Sequence, residues 1–74
     1  MKKVYRMKDL DCANCAAKME RGIAKINGVK ECSVNFMLQR LSLEIDDSAD
    51  LATVLGEVKA VVKRVEPDTE IIGL

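Results

Sequence analysis

The chain has 74 residues, 49% of them hydrophobic, with twelve Lys plus Arg balanced by twelve Asp plus Glu, three Cys and no His. That length supports one small domain, residues 1–74, with a thin core. Zero formal charge with a single Tyr, a single Phe and no Trp leaves neither the basic field nor the stacking surfaces of a nucleic-acid binder.

No apolar run approaches the ~18 residues of a membrane span, and the opening MKKVYRMKD lacks a signal-peptide core. A soluble, cytoplasmic chain without direct membrane insertion is therefore expected. An odd number of cysteines argues against a disulfide scaffold.

In chain order, Lys3 to Met7 is predicted as a strand, with Tyr5 and Met7 on one face and Val4 and Arg6 on the other. Lys8 to Asn14 is polar and reads as a loop. A helix is predicted from Cys15 to about Ile26, with Ala16, Met19, Ile23 and Ile26 at helical spacing, Asn14 as its N-cap and Asn27-Gly28 as its stop. Gly22 inside it costs about 1 kcal/mol relative to Ala, which close packing against the sheet would explain. Val29 to Met37 is predicted as the second strand, with Cys32, Val34 and Phe36 on one face. A turn at Leu38-Gln39 leads into a third strand that points Leu41, Leu43 and Ile45 inward.

After a polar break at Asp46–Asp50, a second helix is predicted from about Leu51 to Lys63. Its apolar stripe is Leu51, Val54, Leu55, Val58, Val61 and Val62, and Lys63 and Arg64 complement its dipole. Pro67 marks the exit, and Thr69 to Ile72 is a short last strand. The order βαββαβ predicts an α+β, ferredoxin-like fold: a four-stranded antiparallel sheet with two helices on one face.

Chemistry concentrates in LDCANCAAKMERG, Leu10 to Gly22, where Cys12 and Cys15 stand two residues apart at the start of the first helix. Unsatisfied N–H groups and the positive end of the helix dipole favour negative charge there, so both thiols should lose protons more easily than a free cysteine. Redox exchange and metal binding both use such thiolates. A thioredoxin-like dithiol wants a longer chain and a nearby cis-proline, whereas the sole proline here is the distant Pro67. A structural zinc site wants four closed ligands, and the chain offers no His and one further Cys. That residue, Cys32, reads as a small buried hydrophobe.

An open, two-thiolate site is left, suited to handing an ion on by ligand exchange. Copper(I) is content with two sulfurs, while zinc(II) and cadmium(II) want more donors. Asp11 beside Cys12 can supply a carboxylate, and a divalent ion with two thiolates and one carboxylate carries the same net charge as copper(I) with two thiolates. Otherwise Asp11 is a turn or cap residue.

With these residues in place, the chain resembles the heavy-metal-associated domain of soluble metallochaperones and of the N-termini of heavy-metal P-type ATPases. The resemblance rests on Asp9-Leu10-Asp11-Cys12-Ala13-Asn14-Cys15 against the family's Gly-Met-x-Cys-x-x-Cys, on Gly28-Val29, on Val34-Asn35-Phe36 and on the element order. It implies metal binding through Cys12 and Cys15, with no reaction catalysed by the domain itself. Asp11 and the CANCAAKMER run are similar to the zinc/cadmium/lead branch; copper-type members more often carry Thr or Ser at that position and a Gly-aromatic pair where this chain has Lys63 to Asp68. Asp9 departs from the usual Gly, and Leu10 replaces a Met that the family uses as a core residue.

The resemblance thus implies zinc(II), cadmium(II) or lead(II) held by Cys12, Cys15 and Asp11, with Glu66 near the loop. The implied partner is the membrane part of a heavy-metal ATPase or another metal-binding domain. The reduced chain is expected to be monomeric, either free or tethered to the cell membrane within a larger transporter. A copper(I) chaperone or copper-ATPase domain is the alternative within the family, and a thiol–disulfide protein the alternative outside it. Met37 and Leu38 are expected to be exposed at the hairpin, as a small docking patch or as isolated surface apolars. The charges Lys18, Glu20, Arg21 and Lys25 on the first helix read as a solvated face.

Overall fold

The computed structural model describes residues 1–74. Its elements run β1 (Lys2–Lys8), α1 (Ala13–Ala24), β2 (Val29–Asn35), β3 (Arg40–Ile45), α2 (Leu51–Val65) and β4 (Glu70–Ile71). The strands form one antiparallel sheet in the order β2-β3-β1-β4. This is the ferredoxin-like arrangement expected from the element order.

Period-two alternation builds the sheet's inner face. On β3, Leu41, Leu43 and Ile45 are buried while Arg40 is exposed and Ser42 and Glu44 are half-buried; on β1, Met7 is buried while Val4 and Arg6 are exposed. Against this face pack Ala16, Met19 and Ile23 from α1 and Val54, Val58, Val61 and Val62 from α2. These spacings of three and four residues are what an amphipathic helix buries.

The boundaries differ from the sequence expectation in several places. Helix α1 begins at Ala13, with Cys12 rather than Asn14 as its N-cap, and ends at Ala24 with Lys25 as C-cap. A sulfur can accept the hydrogen bond that an Asn oxygen usually takes, and Asn14 is left exposed inside the first turn. Strand β2 ends at Asn35, because the Asn35 side chain accepts from the Leu38 N–H at 2.9 Å and turns the chain early. Phe36 is half-buried beyond the strand, and Met37 lies in the turn. Helix α2 continues to Val65, whose side chain is half-buried and joins the core. Strand β4 has only two residues; Thr69 and Ile72 flank it.

Gly22 faces the other helix rather than the sheet. A Cβ placed there would lie 2.8 Å from Cγ1 of Val61, so the glycine sets how closely α1 and α2 approach. Gly28, at φ +101, occupies backbone that L residues avoid, and a Cβ there would meet Ala49 at 2.9 Å. Gly56 has open space around it. The same substitution should therefore act in opposite directions. In a helix valine has one strongly preferred rotamer, so Gly22→Ala overpacks and is expected to lose about 1 kcal/mol net, after its gain in helix propensity. Gly56→Ala should gain up to about 1 kcal/mol. Urea denaturation of the reduced protein checks both; a stabilised Gly22→Ala would mean that the interhelical contact is slack.

Candidate metal centre

Three connections meet at one end of the sheet: the β1–α1 loop, the β2–β3 hairpin and the α2–β4 segment. The hairpin reaches the β1–α1 loop through Gln39, whose side chain bonds the Leu10 backbone. The α2–β4 segment reaches it through Thr69, which is fully buried and donates from Oγ1 to the Asp9 carbonyl at 3.1 Å. Leu10 drives the loop inward, being 1% exposed, so it fills the core position expected of the family's Met. Asp9 has φ +61, which shows why Gly suits that position and why Asp, tolerant of left-handed backbone, can replace it.

Cys12 follows with extended backbone, φ −132 and ψ 118, and its Sγ accepts from the Cys15 N–H at 3.2 Å. Its carbonyl takes the first helical bond, from the Ala16 N–H at 3.0 Å. Both Cys12 and Cys15 are free thiols, half-buried at the protein surface. The capping geometry thus turns a Cys-x-x-Cys spacing into a pair of adjacent, reachable sulfurs.

The two sulfurs are electrostatically unequal, which corrects the expectation that both would ionise easily. Cys12 lies below the ordinary thiol range chiefly because the Cys15 thiol donates to its sulfur. The N–H of Cys15, the N–H of Asn14 and the Lys18 charge add to this, against opposing partial burial. Cys15 lies above the range because its proton is engaged by the Cys12 sulfur; burial, the Cys12 charge and the Glu66 charge raise it further, with Lys18 opposing. The two thiols titrate as a coupled pair, so the first proton leaves more readily than the second, which stays until something replaces it. A cation arriving between the sulfurs can do so.

The structure brings Cys12 and Cys15 together and leaves Asp11 exposed next to them. No three Cys, Asp or Glu side chains are gathered into a ready ligand cluster. Glu66, the C-cap of α2, is half-buried and close enough for its charge to act on Cys15. Cys32 lies away from the pair on β2, half-buried against the core rather than fully enclosed, with its thiol donating to the Glu20 carbonyl at 3.2 Å. Burial, then the Glu20 charge, pushes that thiol up. The loop supports Gln39 and Thr69 were not read from the sequence, because each acts on backbone far away along the chain.

The sequence profile of the heavy-metal-associated domain matches residues 4–70, spanning the thiol loop and nearly all of the fold. The chain belongs to the heavy-metal-associated domain family. The cadmium, zinc and cobalt-transporting ATPase of Bacillus subtilis (strain 168) is 36% identical over 67 residues, which are 90% of this chain and 9% of the ATPase. The chain thus corresponds to less than a tenth of that relative's length. The N-terminal domain of a potential copper-translocating P-type ATPase from Bacillus subtilis, in its Cu(I)-loaded state, matches with a TM-score of 0.72 at 25% identity, over 95% of this chain and 81% of that domain. A CopZ metallochaperone matches with a TM-score of 0.76 over 97% of this chain and 100% of its own, a likeness of fold at 18% identity. As a heavy-metal-associated domain, this chain is a heavy-metal-binding module related to domains of metal-transporting ATPases.

Unequal thiols give a direct prediction. In site-resolved alkylation with iodoacetamide across a pH series, Cys12 should react first, with its rate rising at lower pH than that of a free cysteine. Cys15 should follow at higher pH, and Cys32 should be slowest. A Cys32 that reacts as fast as Cys12 would contradict its placement against the core.

Proposed function

We propose that this heavy-metal-associated domain binds zinc(II), cadmium(II) or lead(II) through Cys12 and Cys15, with Asp11 as third donor, and hands the ion to a partner. The observation that carries this reading is the pair of free, reachable sulfurs on the α1 cap, with the Cys12 sulfur accepting from the Cys15 N–H. Two thiolates are soft donors that suit these ions, and a divalent ion wants more than two donors around it. Exposed carboxylate at Asp11, and the half-buried one at Glu66, are the negative charges nearest in sequence and in field. The cadmium, zinc and cobalt transport named for the Bacillus subtilis relative supports the divalent reading.

An incompletely surrounded ion is open to attack. A thiolate of the partner forms a third metal–sulfur bond, after which the bond to Cys12 or Cys15 breaks and that sulfur regains a proton. The ion keeps its charge throughout, so the exchange needs neither oxidant nor reductant. The domain catalyses no chemistry of its own in this reading. It serves as the cytoplasmic N-terminal domain of a heavy-metal-exporting P-type ATPase, or as a free metallochaperone supplying one. A partner of matching chemistry is another metal-binding domain or the ion entrance of the pump.

Copper(I) is the second reading, favoured by the 25% identity to the Cu(I)-loaded domain and by copper's sufficiency with two sulfurs. Competition titrations of the reduced protein against chelators separate the two. Cys12→Ser and Cys15→Ser should each abolish most of the zinc affinity with the fold retained. Asp11→Ala should weaken zinc(II) by roughly tenfold or more, about 1.4 kcal/mol, and leave copper(I) nearly unchanged when both are measured at one pH. Glu66→Gln, measured in parallel, shows whether the second carboxylate contributes. Equal losses for zinc(II) and copper(I) in Asp11→Ala would make Asp11 a loop-shaping residue and remove the divalent assignment.

A further inference from the structure

We propose that Gln39 is a positioning residue of the metal centre: its carboxamide splints the backbone of the thiol loop in the conformation that receives the ion. Gln39 sits in the β2–β3 turn, 29 residues along the chain from Leu10, yet it satisfies both backbone groups of Leu10. Its Oε1 accepts from the Leu10 N–H at 3.0 Å, and its Nε2 donates to the Leu10 carbonyl at 2.6 Å. The same Nε2 donates to the Phe36 carbonyl at 2.9 Å. The main chain adds a further tie, since the Gln39 carbonyl accepts from the Met7 N–H at 2.8 Å. Only this orientation of the amide meets both Leu10 groups, because a flipped amide would set donor against donor and acceptor against acceptor.

The turn itself does not ask for glutamine. Gln39 has φ +51, a left-handed conformation that Gly or Asn occupies with less strain. Asn is one methylene shorter, and Gly has no side chain. A long carboxamide at a position whose backbone favours neither length nor branching has its reason in what the side chain reaches. What it reaches is the residue two before Cys12. Leu10 is buried by its side chain and fixed by Gln39 at its main chain, so Asp11 and Cys12 leave the core in one direction. Groups that hold metal ligands in place commonly change metal affinity by ten- to a hundredfold when removed.

This proposal rests on the reading of Cys12 and Cys15 as the metal-binding pair. Two variants test it: Gln39→Met, which keeps the side-chain bulk and removes all of its hydrogen bonds, and Gln39→Gly, which also relieves the positive φ. Zinc(II) affinity is measured by chelator competition, Leu10 amide-hydrogen exchange in the metal-free protein by NMR, and fold stability by urea denaturation. Both variants should bind one zinc per chain about tenfold more weakly and exchange the Leu10 amide faster, with Gln39→Gly folding as stably as the parent. Wild-type zinc affinity in a folded Gln39→Gly chain would overturn the positioning role and leave Gln39 a turn residue. Loss of the folded state in both variants would overturn it as well. A parent chain that takes up no zinc would instead overturn the reading of the thiol pair on which the proposal rests, whatever the Leu10 exchange shows.

Discussion

The contact between the Cys12 sulfur and the Cys15 N–H, 3.2 Å long, joins the start of a helix to the chemistry of the site. A helix leaves its first N–H groups without partners, and some side chain or solvent must meet them. Here the acceptor is a thiol, so the residue that ends the loop is also one of the proposed metal-binding pair. Capping fixes the direction of Cys12, places Cys15 in the first turn beside it and lowers the cost of the first negative charge. It also separates the two protonation steps, because the neighbouring thiols titrate as a coupled pair. A site that already tolerates one thiolate, with a second proton that an arriving cation can displace, suits the proposed reversible capture.

The core serves that contact by holding its surroundings still. Leu10 is drawn inward among the buried side chains of the sheet and helices, and Thr69, from the far end of the chain, holds the Asp9 carbonyl. The thin separation of α1 from α2 at Gly22 and Val61 brings the end of α2, with Glu66, to the thiol end of α1. The acidic residue that raises Cys15 is therefore placed by helix packing rather than by neighbourhood in sequence. The exposed Met37 and Leu38, 84% and 59% accessible, stand on the hairpin whose Gln39 grips the same loop. Support and surface meet in one turn.

Much of this was legible in the sequence. Alternating apolar residues on β3 and helical spacing on α1 and α2 are strong local patterns, and they place the core residues on the correct faces. The Cys-x-x-Cys pair was also legible, because its position before an amphipathic stretch already implies a helix start. Other features were hidden for physical reasons. A cysteine competes poorly with asparagine as an expected cap, so Asn14 drew the N-cap assignment that belongs to Cys12. Dipole reasoning treats the two thiols alike, whereas their mutual coupling lowers Cys12 and raises Cys15. Helical periodicity shows that Gly22 needs room but does not say which neighbour demands it. Gln39 and Thr69 bond to backbone atoms remote in sequence, and no periodic pattern reports such contacts. The one clue to Gln39 was a turn that lacked the Gly or Asn its backbone favours.

X-ray absorption at the zinc edge of the reduced, singly loaded protein examines the centre without substitution. An open site on the helix cap should show two sulfurs at about 2.3 Å, with the remaining donors oxygens at about 2.0–2.2 Å. Four sulfurs around the ion would mean that two chains share it, and a shell with fewer than two sulfurs would remove the Cys12–Cys15 pair as its seat; either spectrum would contradict an open site built on one helix cap.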